Sequence, residues 1–144
     1  MTAYRSDRKV RFEDCDPAGI VFYPRYFEML NATVEEWFEE GLDLPWRELV
    51  LERRNGVPTV HIEAEFLAVS RLGDVLTFTL EVEKIGRSSA VLRVVAACGD
   101  EERALFRLTL VHFSNETFRS KPWPEDLRVR MGDYQTESVV SLGE

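Results

Sequence analysis

Asp16 and Pro24 stand eight residues apart in the run Asp16-Pro17-Ala18-Gly19-Ile20-Val21-Phe22-Tyr23-Pro24, and the two ends of that run could act on one carbonyl group. A carboxylate can attack a carbonyl carbon directly, or it can take the proton of an attacking water; residue type does not separate the two roles. The charge that develops on the carbonyl oxygen then needs donors. Pro24 suits the first turn of a helix, where unpaired N–H groups and the positive end of the peptide dipole can meet such an oxygen. Taken alone, Asp-Pro reads as a turn whose carboxylate bonds its own backbone.

Other residues offer weaker chemistry. Asp14 falls within a strand-like alternation, which suits a structural or surface role. Cys15 has no histidine close in sequence to form a dyad, and with Cys98 it lies outside any C-x-x-C pattern, so both read as buried free thiols. His61 and His112 fall inside expected strands, where hydrogen-bonded packing is the commoner role. Glu28, Glu35 and Glu36 sit on an expected helix and read as its solvated face.

The elements that must position these groups follow from periodicity. Residues 8–15 alternate, with Val10 and Phe12 on one side and Arg11 and Glu13 on the other, as in a half-buried strand. From Pro24 to Gly41 the apolar residues recur at three and four (Tyr26, Phe27, Leu30, Val34, Trp37, Phe38), which is a long amphipathic helix. A shorter helix is expected from Pro45 to Arg54, a turn at Asn55-Gly56, and strands over 58–68, 75–85, 90–98 and 104–113. Gly86-Arg87-Ser88 and Gly99-Asp100 supply turns. The tail from Asn115 onward is proline-broken and polar, with no firm element beyond a turn at 124–127. This order implies an α+β fold with a five-stranded antiparallel sheet. A single helix is too narrow to cover such a sheet, so a homo-oligomer is expected.

The whole chain sets bounds. Its 144 residues suit one domain, 1–144, and 44% hydrophobic with 31% charged residues is an ordinary globular composition. No apolar run is long enough for a membrane span, and charges occupy the N-terminus where a secretory signal needs an apolar stretch, so a cytoplasmic location and no membrane partner are expected. A net charge of −8 disfavours nonspecific nucleic-acid binding. An anionic ligand would need a local basic patch.

The segment FEDCDPAGIVFYPRY, residues 12–26, closely resembles the signature of the 4-hydroxybenzoyl-CoA thioesterase family, with support from Pro45-Trp46-Arg47 and Ala64-Glu65-Phe66. The likeness covers most of the chain as far as about residue 115. It implies the hotdog fold, a long helix wrapped by a curved antiparallel sheet, with chains paired into dimers, often stacked into tetramers, and active sites formed between subunits. It favours Asp16 as nucleophile or base over a mere turn former, and gives the Tyr23 main-chain N–H as the carbonyl donor. Gly19, Asn31, Val57, Arg87 and Ser88 are implied on the substrate side, the last two near the CoA phosphates with Lys84 before them and Arg119 and Lys121 in reserve. No metal or separate cofactor is implied, CoA being part of the substrate.

Departures concern the acyl group. Where the benzoyl enzymes carry an acid and a threonine for the ring hydroxyl, this chain has Asn31 and Val57; losing such a partner disfavours the para-hydroxy compound by about 1 to 3 kcal/mol. The expectation is an acyl-CoA thioesterase for another aromatic or a short aliphatic acyl group. The rival readings are hydrolysis on an acyl-carrier protein and noncatalytic acyl-CoA binding.

Overall fold

The computed structural model describes residues 2–136. Seven strands and two α-helices follow in the order β1 (Tyr4–Lys9), α1 (Pro24–Glu36), β2 (Asn55–Gly56), β3 (Thr59–Phe66), β4 (Val75–Ile85), β5 (Ser89–Cys98), β6 (Glu101–Val111), β7 (Phe113–Ser114) and α2 (Glu125–Gly132). Five of the strands form an antiparallel sheet in the order β1-β4-β5-β6-β3. The central strands carry apolar residues at every second position, so Leu76, Phe78, Leu80 and Val82 of β4, Leu92 and Val94 of β5, and Phe106, Leu108 and Leu110 of β6 line one face. Across that face lies α1, burying Tyr26, Met29, Leu30, Thr33 and Val34. This is the α+β, hotdog arrangement that the resemblance implied. No helix among the described residues is long and apolar enough to cross a membrane.

The long helix ends in a π-turn, Trp37–Gly41, in which the Leu42 amide bonds the Trp37 carbonyl at 2.9 Å. A second π-turn, Glu48–Glu52, lies within the expected shorter helix. Three expectations need correction. The first strand is residues 4–9, and Phe12–Asp14 is a single 3₁₀ turn. The inward side of β1 is Tyr4, Ser6 and Arg8, which is polar and therefore lacks an apolar period; these side chains bond Glu40 (2.6 Å), Glu36 (2.7 Å) and Thr33 (3.2 Å), and Arg8 also meets Glu36 at 2.6 Å. Val10 is buried, but Phe12 is 82% exposed. Asn55-Gly56 is a short strand paired with β7 instead of a turn.

The polar tail is the third correction. It forms α2, which buries Leu127 and Met131, and the chain beyond it bonds β4 through Val82, with Tyr134 edge-on to Trp37 at 5.7 Å between ring centroids. This segment closes the end of the core. Met131→Ala should lower stability by about 2–5 kcal/mol, the usual cost of emptying a fully buried methionine site. Urea denaturation measures it, and a midpoint unchanged from wild type would show that α2 is not part of the core.

Candidate active site

Asp16 sits half-buried in a tight turn. Its Oδ1 accepts the Ala18 N–H at 2.8 Å, its own N–H bonds the Ile20 carbonyl at 2.9 Å, and the Gly19 N–H returns to the Asp16 carbonyl at 2.9 Å. Gly19 takes φ +80°, a left-handed conformation that suits glycine alone without strain. The loop is held from outside as well: Val21 N–H donates to the Ser70 carbonyl at 2.9 Å and Leu72 N–H to the Gly19 carbonyl at 3.0 Å. The turn-forming and the chemical readings of Asp16 are thus compatible. One oxygen shapes the loop, while Oδ2 has no hydrogen-bond partner among the described residues.

Tyr23 is the residue before the first turn of α1 and Pro24 is the first within it. Its amide belongs to the set of N–H groups that a helix start leaves without an internal acceptor. Around it lies a hollow of about 240 Å³ whose walls include Val21, Tyr23, Tyr26, Phe66 and Val69. Its aromatic rings meet edge-on or tilted, with Phe66 6.0 Å from Tyr23 and 5.5 Å from Tyr26. Asp14 is a local brace, its Oδ2 accepting the Arg11 N–H at 2.9 Å. Cys15 is half-buried rather than buried; burial and then the carboxylates of Asp14 and Asp16 raise its thiol pKa, which disfavours a thiolate.

Asn31 and Val57 also share a cleft, of about 390 Å³, with Val34, Trp46, Thr59 and Leu110. It has no lining residue in common with the hollow at Tyr23. Asn31 is eight residues beyond Tyr23, which is about 12 Å along the axis and roughly 80° around it. Leu110 pairs with Ala90 and with Thr59, so this cleft opens at the end of the sheet where the Gly86-Arg87-Ser88 turn lies. The Asp16 loop packs instead on residues 70–72, before the start of β4. Eleven residues of β4 separate the two ends, roughly 30 Å at the rise of a strand. The structure therefore sorts the expected site residues into two groups: Asp16, Gly19 and Tyr23 at one end, and Asn31, Val57, Arg87 and Ser88 at the other.

Between the ends runs β3, an edge strand of the sheet with Val60, Ile62 and Phe66 exposed. His61 lies on this exposed edge, 3.2 Å from Glu63, and is not packed inside as expected. Among the described residues no group of three or more His, Cys, Asp or Glu side chains is arranged to hold a metal ion.

Residues 10–131 match the family model of the thioesterase-like superfamily. The chain belongs to the thioesterase-like superfamily. It is 38% identical over 87 residues to a 4-hydroxybenzoyl-CoA thioesterase of Pseudomonas sp. (strain CBS-3), covering 60% of this chain and 62% of that one. It is 37% identical over 92 residues to a 1,4-dihydroxy-2-naphthoyl-CoA hydrolase of Prochlorococcus marinus (strain NATL2A), covering 60% and 59%. Each match spans less than two thirds of the relative's length. In fold it is similar to a thioesterase-superfamily crystal structure from Jannaschia sp. CCS1, with a TM-score of 0.86, 24% identity, and coverage of 93% of this chain and 94% of that one.

In this member of the thioesterase-like superfamily the turn carrying Arg87 and Ser88 is gripped by Trp123 and Arg128, which no motif or period singles out. Trp123 donates from its main-chain N–H to the Arg87 carbonyl (3.0 Å) and from its indole to the Ser89 carbonyl (2.9 Å), and Arg128 donates to the Gly86 carbonyl (2.8 Å). Arg87 itself is exposed, and Lys121 meets Asn55 Oδ1 at 3.2 Å. Arg87, Lys121 and Arg128 thus bring a local basic patch to an acidic chain. The signal was Trp123 between Pro122 and Pro124, a large apolar residue in a segment too broken to show a period.

His112 completes this grip. Its amide bonds the Ser88 carbonyl (2.8 Å), its ring stacks on Trp123 at 5.0 Å, and its Nδ1 lies 3.0 Å from the Pro122 carbonyl and 3.2 Å from that of Lys121. Carbonyls only accept, so Nδ1 carries the proton. Burial lowers its pKa below 6.5, outweighing the two carbonyl bonds. In the window just below pH 6.5 the unfolded chain therefore binds more protons than the folded one, and this contribution to stability falls as pH falls. His112→Asn should lose less melting temperature than wild type between pH 7 and pH 5. Parallel losses in the two proteins would count against this origin.

Proposed function

We propose that the protein is an acyl-CoA thioesterase, hydrolysing an aromatic or short aliphatic acyl-CoA to the free acid and CoA. The chain acts as a single domain in sites shared between two copies, as a dimer or a pair of dimers. The observation that carries this reading is the division of the site residues between the two ends of the sheet, with an apolar edge strand between them. If β3 of one copy pairs antiparallel with β3 of another about a two-fold axis, the Thr59 end of each lies against the Phe66 end of its partner. Each Asp16 and Tyr23 then faces the other copy's Asn31, Val57 and Arg87. The names of the two relatives, both hydrolases of aromatic CoA thioesters, support the reaction class.

In this scheme the phosphates of CoA lie on the basic end of one copy, where Arg87 offers a planar fork. The thioester reaches the helix start of the other, and its oxygen accepts the Tyr23 N–H. Asp16, with Oδ1 held by Ala18, presents Oδ2. That oxygen either attacks the carbonyl carbon, expelling CoA thiolate and leaving an anhydride for water to cleave, or takes the proton of the attacking water. Both routes consume one water and release one acid and one CoA thiol.

Thiol release from a panel of aromatic and aliphatic acyl-CoA thioesters, with the same acyl groups on an acyl-carrier protein as comparison, tests the activity. Asp16→Asn should lower kcat by about 100- to 10,000-fold without loss of folded structure. Wild-type turnover by that variant would remove Asp16 from the mechanism, and faster release from the carrier protein would move the substrate. Complementation tests the shared site. Asp16→Asn and Val57→Trp, each inactive alone, leave one intact site in a mixed dimer, so co-expression should restore about a quarter of wild-type activity. No recovery in a verified mixed dimer means that each site lies within one chain.

A further inference from the structure

Arg103 is the only charged side chain buried among the described residues, at 7% exposure. Burial of a guanidinium is costly unless its charge and donors are met. Here Nη1 donates to the Val69 carbonyl (2.9 Å) and Asp74 Oδ2 (2.9 Å) and lies 3.3 Å from Ser70 Oγ, while Nε stands 2.6 Å from Glu101 Oε1 without hydrogen-bond alignment. Asp74 Oδ2 also accepts the Arg71 N–H at 2.9 Å, and these two bonds hold its carboxyl below the usual range, so the pair is ionised at neutral pH. The guanidinium thus gathers both ends and the middle of the segment 69–74.

That segment touches both the Asp16 loop and the start of α1. On one side the Ser70 carbonyl and the Leu72 amide bond Val21 and Gly19, and Arg71 bridges Ile20, so the segment forms one wall of the Asp16 loop. On the other side Ser70 Oγ accepts the buried Tyr26 hydroxyl at 2.8 Å, which ties it to the first turn of α1 beside the Tyr23 amide. Ser70 is 1% exposed, so these bonds have no competition from bulk water.

We propose that Arg103 is a positioning residue for Asp16, holding the 69–74 segment so that the carboxylate loop and the helix start keep a fixed separation. It rests on the hydrolase reading above. Arg103 sits behind the loop and away from the Arg87 end, so its removal should alter the chemical step and leave CoA binding nearly unchanged.

The test compares wild type, Asp16→Asn, Arg103→Met, Arg103→Lys and Ser70→Ala by steady-state kinetics on the best acyl-CoA substrate and by amide hydrogen exchange. Arg103→Met should lose about 100-fold in kcat, as for a displacement on the order of 1 Å, with KM within about threefold of wild type. Exchange at Gly19, Val21 and Leu72 should quicken by at least about tenfold while the β5 amides stay protected. Arg103→Lys, whose ammonium can stand in for Nη1 but leaves nothing in the place of Nε beside Glu101, should recover part of kcat. Unchanged kcat, a loss that merely tracks the folded fraction, or exchange that quickens equally everywhere overturns the proposal. Should Arg103→Met fail to fold, Ser70→Ala must show the same local exchange with a smaller kcat loss; wild-type behaviour there overturns it equally. Wild type that hydrolyses no acyl-CoA sinks the hydrolase reading instead, and unchanged exchange in the Arg103 variants would then separately sink the ordering of the loop.

Discussion

The chain's own backbone fixes the distance between the Asp16 carboxylate and the open end of α1, which is what joint action on one carbonyl, as proposed, would require. Residues 15–21 fold back on themselves, bond residues 70–72 along one side and run straight into α1. The helix cannot shift without dragging the loop, because Tyr26 is anchored both in the core and on Ser70. Preorganisation of this kind is what makes dipoles and donors effective, since nothing must reorient as charge develops. The hydrophobic core gives α1 its rigid seat, and the loop takes its geometry from that seat.

The second constraint is the length of the sheet. The turn carrying Arg87 and the loop carrying Asp16 lie at opposite ends of β4, roughly 30 Å apart. An edge strand with unpaired main-chain groups and exposed Val60, Ile62 and Phe66 is a liability in water unless another strand covers it. On the proposed reading one pairing event answers both problems, covering the edge and joining the two halves of the site. Stability of the pair and competence of the site would then be the same quantity, which explains why an incomplete site can coexist with a well-packed monomer core.

What was legible from sequence follows the same physics. The strands β4 to β6 and the helix α1 show their periods because one face of each is apolar and buried, and the Asp16 to Pro24 run is readable because its parts are adjacent. β1 was displaced because its inward face bonds Glu36, Glu40 and Thr33 and so carries no apolar pattern. In α2 the signal was only Leu127 and Met131, four apart amid charge. The Arg103 cluster was invisible for another reason: Tyr26, Ser70 and Arg103 are distant in sequence, and no spacing rule links them. Nor could local reading show that Asn31 and Val57 belong to a different end of the molecule from Asp16, since that depends on strand order.

On the proposed reading the acyl group lies in the cleft that Asn31 and Val57 share. Its walls are apolar at Trp46, Val34, Val57 and Leu110, which suits a ring or a short chain; its polar groups are Asn31, Glu35 and Thr59. A ring hydroxyl pressed against Val57 would leave water without a new partner, whereas one directed toward Thr59 or Asn31 would keep one. The position of a substituent on the ring therefore matters more than its presence. On that reading, substrate preference follows from where the ring is held relative to Val57, with CoA seated on the Arg87 turn at the same end of the sheet.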